Sequence, residues 1–380
     1  MIFLDNASTT KLSLRVKNKL IEGADNFINP SASYSAGLDN KKIIEDAKKS
    51  ILQPLKVQYK DNLIFTASAT EANNLAVFGS AKSGKEQYLF SAGEHLCVYN
   101  CAVELKNRGF NVKFIPLTSD GTVDMVAFEE LLKEPTMFVS CIHVSNETGA
   151  INDIEKLSNL TKSKWPNAIF HSDGVQAFGK IDVNLSKLKN IDLYTISAHK
   201  INGPKGIGAL YVKNKNKLKP IIFGGGQEYN LRSGTENLPS IWAFSEASAE
   251  RFENLQNNFE KVKKLNNIFI AEIKKHDLKN IKINSSHNNS PYIVSISFVG
   301  VKGETLVRMC DDDGLFVGTG SACSSKKTTL NRVLLAMGKS KEETEGAIRV
   351  SFSHDNTEDE VIRAAEILIK NFLQLSAMLA

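Results

Sequence analysis

An apolar run, Leu193, Tyr194 and Ile196, ends abruptly in Ser197-Ala198-His199-Lys200, and the glycine-rich stretch Ile201-Asn202-Gly203-Pro204-Lys205-Gly206-Ile207-Gly208 follows. A short buried strand from Asp192 to Ser197 sets Lys200 in a tight loop at its end, before a second strand from Ala209 to Val212. Alone, such a lysine reads as a solvated loop charge. Its neighbours give it chemistry. Ser197 and His199 are phosphate-type donors, and upstream a strand through Ile169 and Phe170 ends in His171-Ser172-Asp173-Gly174-Val175-Gln176. An amine able to form a Schiff base, a carboxylate able to keep a ring nitrogen protonated, and hydroxyl or imidazole donors for a phosphate form the set that pyridoxal phosphate requires.

The elements that must position these residues follow a βαβ rhythm. Residues Ile2 to Thr10 read as an extended arm, a helix runs through Val16, Leu20 and Ile21, and Asn29-Pro30 breaks the periodicity. Ile43, Ile44, Ala47, Ile51 and Leu52 return to helical spacing. Leu63 to Phe65 is a strand leading through Thr66-Ala67-Ser68-Ala69-Thr70-Glu71 into a helix, whose unpaired N–H groups make a natural phosphate seat. Thr70 is either a side-chain donor there or a helix cap. Further strands are expected at Gln87 to Ser91, ending near His95, at Val112 to Pro116 and at Met137 to His143, with a helix from Asp124 to Leu132. This alternation predicts a mainly parallel sheet flanked by helices, with ligands at the strands' carboxyl ends. Asn146, Asp173 and Lys200 all follow strand ends. A long amphipathic helix from Ile241 to Lys275 leads to a second domain, with half-buried strands at Ile281 to Ile283 and Tyr292 to Phe298. A helix follows near Glu304 to Cys310, and two more are marked by capping boxes, Ser340 with Glu343 and Thr357 with Glu360. Between these lies Gly318-Thr319-Gly320-Ser321-Ala322-Cys323-Ser324-Ser325-Lys326-Lys327, with nothing apolar to anchor it.

Six motifs in order, TASATEANNLA, HVSNETG, HSDGVQAFGK, SAHKINGPKGIGALY, GGGQEYNLRSGTEN and GSACSS, resemble those of the cysteine desulfurases. These are class V aminotransferases, a branch of the fold-type I pyridoxal-phosphate enzymes, and the likeness runs from Leu4 to about Phe352. The resemblance implies an α/β fold with a large cofactor-binding domain, 14–255, and a smaller α+β domain, 256–380, joined by the arm 1–13. It implies that Lys200 carries the cofactor, Asp173 meets its ring nitrogen, Gln176 its ring hydroxyl, and His95 stacks on the ring and moves protons. Ala69, Thr70, Ser197 and His199 would hold the phosphate, with Thr235 reaching it from the other subunit of a homodimer. Asn146 would lie near the cofactor hydroxyl and, with Arg349, bind the carboxylate of L-cysteine, while Cys323 would take the sulfur as a persulfide and release alanine. A thiolate is the reactive form, and His95, Lys326 and Lys327 are alternative groups to favour it. The segment from Cys323 to Gly338 is long, as in the branch whose catalytic loop delivers sulfur to protein acceptors. Three positions depart from the family: Tyr34 stands where a histidine is usual, Ser68 where a glycine is, and Lys326-Lys327 is a local change.

Composition bounds the rest. With 380 residues, 42% of them hydrophobic and 23% charged, the chain is ordinary globular protein. A net charge of +5 with dispersed lysines argues against direct DNA or RNA binding. There is no signal-like start and no apolar run of about eighteen residues, so a cytoplasmic enzyme without membrane association is expected. Five cysteines (Cys97, Cys101, Cys141, Cys310, Cys323) without a C-x-x-C pair argue against a disulfide framework, and Cys97 and Cys101, with no further ligands at metal-binding spacing, read as packing cysteines rather than a metal pair. Alternatives remain: a related lyase or aminotransferase such as a selenocysteine lyase, which needs Lys200 and Asp173 but not Cys323, or a cofactor-binding sulfur-relay scaffold. The destination of the sulfur, iron–sulfur cluster assembly or nucleic-acid thiolation, is not written in the sequence.

Overall fold

Strand β1 (Ile2–Phe3) opens the chain, followed by helices α1 (Leu14–Asp25) and α2 (Ser35–Leu52). Strands and helices then alternate: β2 (Leu63–Thr66), α3 (Ala69–Gly79), β3 (Gln87–Ser91), α4 (Leu96–Asn107), β4 (Asn111–Ile115), α5 (Met125–Leu131), β5 (Thr136–Ser140), α6 (Ile154–Lys164), β6 (Ile169–Asp173), β7 (Leu193–Ser197) and β8 (Gly208–Val212). This computed structural model describes residues 1–57, 63–286, 288–319 and 330–379. Seven strands form one sheet in the order β2-β8-β7-β6-β5-β3-β4; β8 is antiparallel to both neighbours and the other pairs are parallel. Both faces are covered, as a parallel sheet demands. Tyr88, Phe90, Phe138, Ile169, Leu193 and Leu210 pack against α3 and α4, while the intervening Leu89, Val139, Phe170, Tyr194 and Ala209 pack against α1, α2 and α7 (Leu238–Glu253). The α/β class with a mostly parallel, helix-flanked sheet is therefore the architecture of this chain.

The expected single helix over 241–275 is two. It breaks at Asn254, whose φ of −123° and ψ of 21° leave the helical region, between α7 and α8 (Leu255–Lys274). The break divides two cores. Ile241, Phe244 and Ala247 of α7 pack with the large sheet, whereas Val262, Leu265 and Phe269 of α8 pack with the second sheet and with Ile2 and Leu4. That sheet comprises β9 (Ile281–Ile283), β10 (Ile293–Phe298), β12 (Gly318–Thr319) and β13 (Ala347–Ser351) in the antiparallel order β12-β13-β10-β9. Helix α9 (Gly303–Asp312), strand β11 (Leu315–Phe316), which pairs with β1, and helices α10 (Arg332–Ala336), α11 (Lys341–Glu345) and α12 (Glu358–Leu379) complete the chain. Strand β10 is wholly buried rather than half-buried. Its alternation is real, but Ser295 and Ser297 are covered by Asn284, whose amide donates to both hydroxyls at 3.2 and 2.8 Å. Short polar side chains hydrogen-bonded in this way can be buried at little cost. Both capping boxes form: Ser340 with Glu343, and Thr357 with Glu360. Strand β5 ends at Ser140, earlier than expected, although the N–H groups of Cys141 and His143 still donate to the carbonyls of His171 and Asp173.

The glycine-rich connection after β8 is more ordered than its composition suggests. Glu228, Tyr229 and Asn230 hold φ values of 47°, 59° and 63°, a left-handed run that is costly for residues with a Cβ. A buried anchor offsets that cost: the Glu228 carboxylate accepts from Lys48 Nζ and from the Phe65 N–H, each at 2.9 Å. Both side chains of the pair are only 4% exposed. Removing the cation leaves a buried acid without its partner, so Lys48→Met is expected to lower the unfolding free energy by about 3 kcal/mol. Urea denaturation reads this directly, and a loss below about 0.5 kcal/mol would put the pair in the class of dispensable surface ion pairs.

Candidate active site

The ends of β3, β6 and β7 converge, and with them the residues singled out by type. Asp173, the last residue of β6, is 3% exposed; its Oδ2 accepts from Asn73 Nδ2 at 2.8 Å and its Oδ1 from the Val175 N–H at 3.0 Å. Lys200 ends a single 3-10 turn after β7, and its Nζ donates to the carbonyls of Ala7 and Ser8, both at 2.6 Å. The amine is thus half-buried and turned inward. Gln176 is buried and donates from Nε2 to the same Ala7 carbonyl at 2.9 Å. His95 caps α4: its Nδ1 accepts from the Cys97 N–H at 3.2 Å and lies 3.0 Å from the Cys97 thiol. Two donors on Nδ1 place the remaining ring proton on Nε2. Burial lowers the His95 pKa, Asp173 opposes that, and Lys200, Arg349 and Arg332 add to it, so these charges share one neighbourhood. His199 is pushed down to about 3, by burial and then by Lys200 and Lys205, and its Nδ1 lies 3.3 Å from Thr9 Oγ1.

The residues fit a phosphorylated pyridine. Ser197 keeps a buried hydroxyl that has no hydrogen-bond partner among the described residues. Its strand partner is Gly208, where an added Cβ would meet Ala69 N and Ser68 C at 2.6 Å. Only a glycine lets α3 approach so closely, and the approach brings the first N–H groups of α3 beside Ser197. Ser68, an extended N-cap, accepts from the Glu71 N–H at 3.2 Å; Ala69 and Thr70 head the helix, and the Thr70 side chain is exposed.

Arg349 enters from β13 of the second sheet. It donates to Asp5 Oδ1 at 2.9 Å and to the Asn146 carbonyl at 3.1 Å, and lies 3.8 Å from the Glu147 carboxylate. Asn146 Nδ2 donates to Glu147 at 2.7 Å, and its Oδ1 is buried without a partner among the described residues. Burial raises the Glu147 pKa, with Arg349 opposing. Gly318 pairs with Arg349 across β12 and β13, and Asn331 donates to Glu147 at 2.8 Å. The ends of the described chain on either side of 320–329 therefore both sit at Arg349 and Glu147. Cys323, Lys326 and Lys327 lie outside the described residues. Thr235 is exposed, and among the described residues no hydrogen bond joins it to this group. Tyr34 is 57% exposed before α2.

A mainly parallel α/β fold with an inward lysine and a buried aspartate at adjacent strand ends defines the class, and the chain belongs to the class-V aminotransferase family, whose model matches residues 2–363. Its relatives there are cysteine desulfurases. Cysteine desulfurase IscS 1 of Archaeoglobus fulgidus is 36% identical over 379 residues, covering 97% of this chain and 96% of the relative. Among solved structures, a NifS-like protein superposes with a TM-score of 0.90 at 31% identity over 99% of both chains. SspA in complex with cysteine superposes with a TM-score of 0.80 at 29% identity, covering 94% of this chain and 100% of that one. Among the described residues no helix is long and apolar enough to cross a membrane.

Several contributors are not singled out by type: Asp5 to Ser8, Asn73 and Glu147, which lie inside the quoted motifs or the N-terminal arm, and Glu94 beside His95. Glu94 is fully buried behind His95, accepts from Ser140 Oγ at 2.8 Å, and has its pKa raised to about 8, by burial first and then by Asp173. Ser140 Oγ also lies 2.9 Å from His171 Nδ1. A folded pKa above the unfolded 4.5 means the native state binds this proton more tightly. The resulting stabilisation is complete below the unfolded value and lost as pH rises through the folded one. The stability of the wild type relative to Glu94→Gln is therefore expected to fall by a few kcal/mol between about pH 5 and pH 8. Urea unfolding of both proteins across that range measures it, and a difference independent of pH would show the carboxyl to be ionised throughout.

Proposed function

We propose that this chain uses pyridoxal phosphate to remove the sulfur of L-cysteine, giving alanine and a persulfide on Cys323. The observation that supports this most is the meeting of Lys200, Asp173, Gln176 and the Ser197 hydroxyl, unpartnered among the described residues, at one set of strand ends, with Arg349 facing them. Bound covalently through Lys200, pyridoxal phosphate supplies an electron sink that stabilises negative charge at the substrate Cα.

The chain's own residues do the rest. The Asp173 carboxylate, kept in place by Asn73 and the Val175 N–H, holds a proton on the ring nitrogen through a charge-assisted bond worth about 1.5 to 3 kcal/mol. Ser197, His199, Ala69, Thr70 and the α3 terminus bind the phosphate, and Gln176 the ring hydroxyl. Arg349 binds the L-cysteine carboxylate, exchanging its contact with Asp5 for the substrate, and Asn146, one N–H of whose amide already goes to Glu147, has its second N–H to donate beside it. Once free, the Lys200 amine takes the Cα proton, with the Ala7 and Ser8 carbonyls as the fixed acceptors that position it. His95, carrying its proton on Nε2, is placed to move protons above the ring. The Cys323 thiolate then attacks the substrate sulfur: an S–S bond forms, the Cβ–S bond breaks, and the electron pair left on carbon takes up a proton to give alanine.

The same reading includes a large domain over 14–255 and a small one over 256–380 with the arm 1–13. It also includes a cytoplasmic homodimer in which Thr235, exposed on one chain, reaches the phosphate of the other. Protein sulfur acceptors, in iron–sulfur cluster assembly or nucleic-acid thiolation, would then take the persulfide.

Incubation of the purified, cofactor-reconstituted protein with L-cysteine tests this. Wild type forms alanine and protein-bound persulfide, Lys200→Ala lacks the visible chromophore, and Cys323→Ala loses alanine formation by on the order of 10³-fold. Alanine formation by Cys323→Ala at the parental rate would reject the persulfide step and leave a lyase.

A further inference from the structure

Directly beneath Gln176 lies a buried amine that the proposed reaction does not use. Lys180 is 3% exposed, and its Nζ donates to Gln176 Oε1 at 2.6 Å. The charges around it are cations: Arg251 from α7, Lys200, and Arg349 from β13 all oppose its protonation, and burial opposes it most, so its pKa lies well below the ordinary lysine value. The ring of Tyr292 lies 5.7 Å from Nζ and 5.5 Å from the Arg251 guanidinium. Arg251 itself is held by the Gly179 carbonyl at 2.8 Å and by His354. Among the described residues no salt bridge to a carboxylate compensates Lys180, so its burial is an expense of the fold that packing does not explain.

What the amine does is fix an amide. A glutamine amide has a donor end and an acceptor end of nearly equal shape, and its neighbours decide which way it faces. Here the Ala7 carbonyl, an acceptor, requires the Gln176 nitrogen, and Lys180 donates to the oxygen at the other end, holding the amide in that orientation. Turned over, the amide would set Oε1 against the Ala7 carbonyl, two acceptors face to face. In the observed orientation one N–H of Nε2 goes to Ala7, and the second is available to a ligand. We propose that Lys180 is a positioning residue that holds Gln176 as a hydrogen-bond donor toward the cofactor's ring hydroxyl. This rests on the reading that Lys200 carries pyridoxal phosphate.

A donor at the ring hydroxyl favours its anionic form, so losing the donor raises the pKa of the proton held by the Lys200-bound chromophore. The test is the midpoint of the pH titration of the visible band in the holoenzyme, which does not depend on turnover. Lys180→Met is expected to raise the midpoint by about one unit. Part of any shift could come from the Lys180 charge alone, so the same substitution is made in a Gln176→Leu background, where the amide term is already absent. The inference requires a clearly smaller shift there, since residues in one hydrogen-bonded network are non-additive. Equal shifts in the two backgrounds, or none in the wild type, overturn it. Gln176→Glu provides a second variant that keeps the acceptor for Lys180 but removes the donor. Its midpoint is expected to rise, and an unchanged midpoint rejects the donor role even if Lys180→Met fails to fold. A wild-type protein that binds no chromophore would refute the cofactor reading itself, which is a different outcome from a chromophore whose midpoint does not move.

Discussion

Two backbone carbonyls, those of Ala7 and Ser8, are the acceptors from which the site is suspended. Lys200 Nζ donates to both, and Gln176 Nε2 donates to the first. The same turn is fastened to the second sheet: the Ala7 N–H donates to Ser351 Oγ at 2.8 Å, Asn6 Nδ2 to the Ser351 carbonyl at 3.0 Å, and Asp5 accepts from Arg349. A stretch of four residues thus ties the lysine of one core to the arginine of the other. Backbone acceptors suit this task because they carry no charge that would titrate with the amine, and their positions are set by the chain on either side.

The site is otherwise an arrangement of charges whose ordinary hydration has been removed. Lys200, Arg332 and Arg349 face Asp173, Glu94 and Glu147, most of them buried, and burial is the largest cause of every shift that Glu94, His95, Glu147, Lys180 and Arg332 show. Water-poor surroundings strengthen each fixed dipole and charge. Anionic groups, a phosphate at the α3 terminus and Ser197 and a carboxylate at Arg349, would therefore be recognised at two separated points. An amino acid joined to a phosphorylated ring presents such a pair.

Much of this was legible in the sequence because strand ends carry strong local signals. The apolar runs ending at Asp173 and Ser197 placed both residues to within one position of the observed strands. Capping boxes likewise depend only on residues three apart, and both form. What could not be read were contacts across long sequence distances. Nothing near Ala7 announces that its carbonyl meets residues 169 and 193 positions away. Asn254 offered only a weak interruption of an amphipathic pattern, yet the two cores on either side of it decide that the helix must turn there. The alternation in β10 suggested a solvent face because Ser295 and Ser297 are polar; Asn284, which covers them, belongs to a different strand end.

The division into two cores gives the site its chemical logic. Asp173, Ser197 and Lys200 stand on one sheet, while Arg349 stands on a strand of the other, paired with Gly318. At Gly318 a Cβ would lie 2.8 Å from Asp5 Oδ1 and 3.1 Å from Arg349 Nη2, so the chain can pass this close to Arg349 only because position 318 lacks a side chain. On the far side, Asn331 is bound to Glu147, itself next to Asn146. A substrate carboxylate drawn to Arg349 would compete with Asp5, and would thus alter the contact that holds the N-terminal turn, and with it the carbonyls that hold Lys200. The arginine and the lysine amine lean on the same four residues, Asp5 to Ser8, so a change at one contact is felt at the other through a single turn.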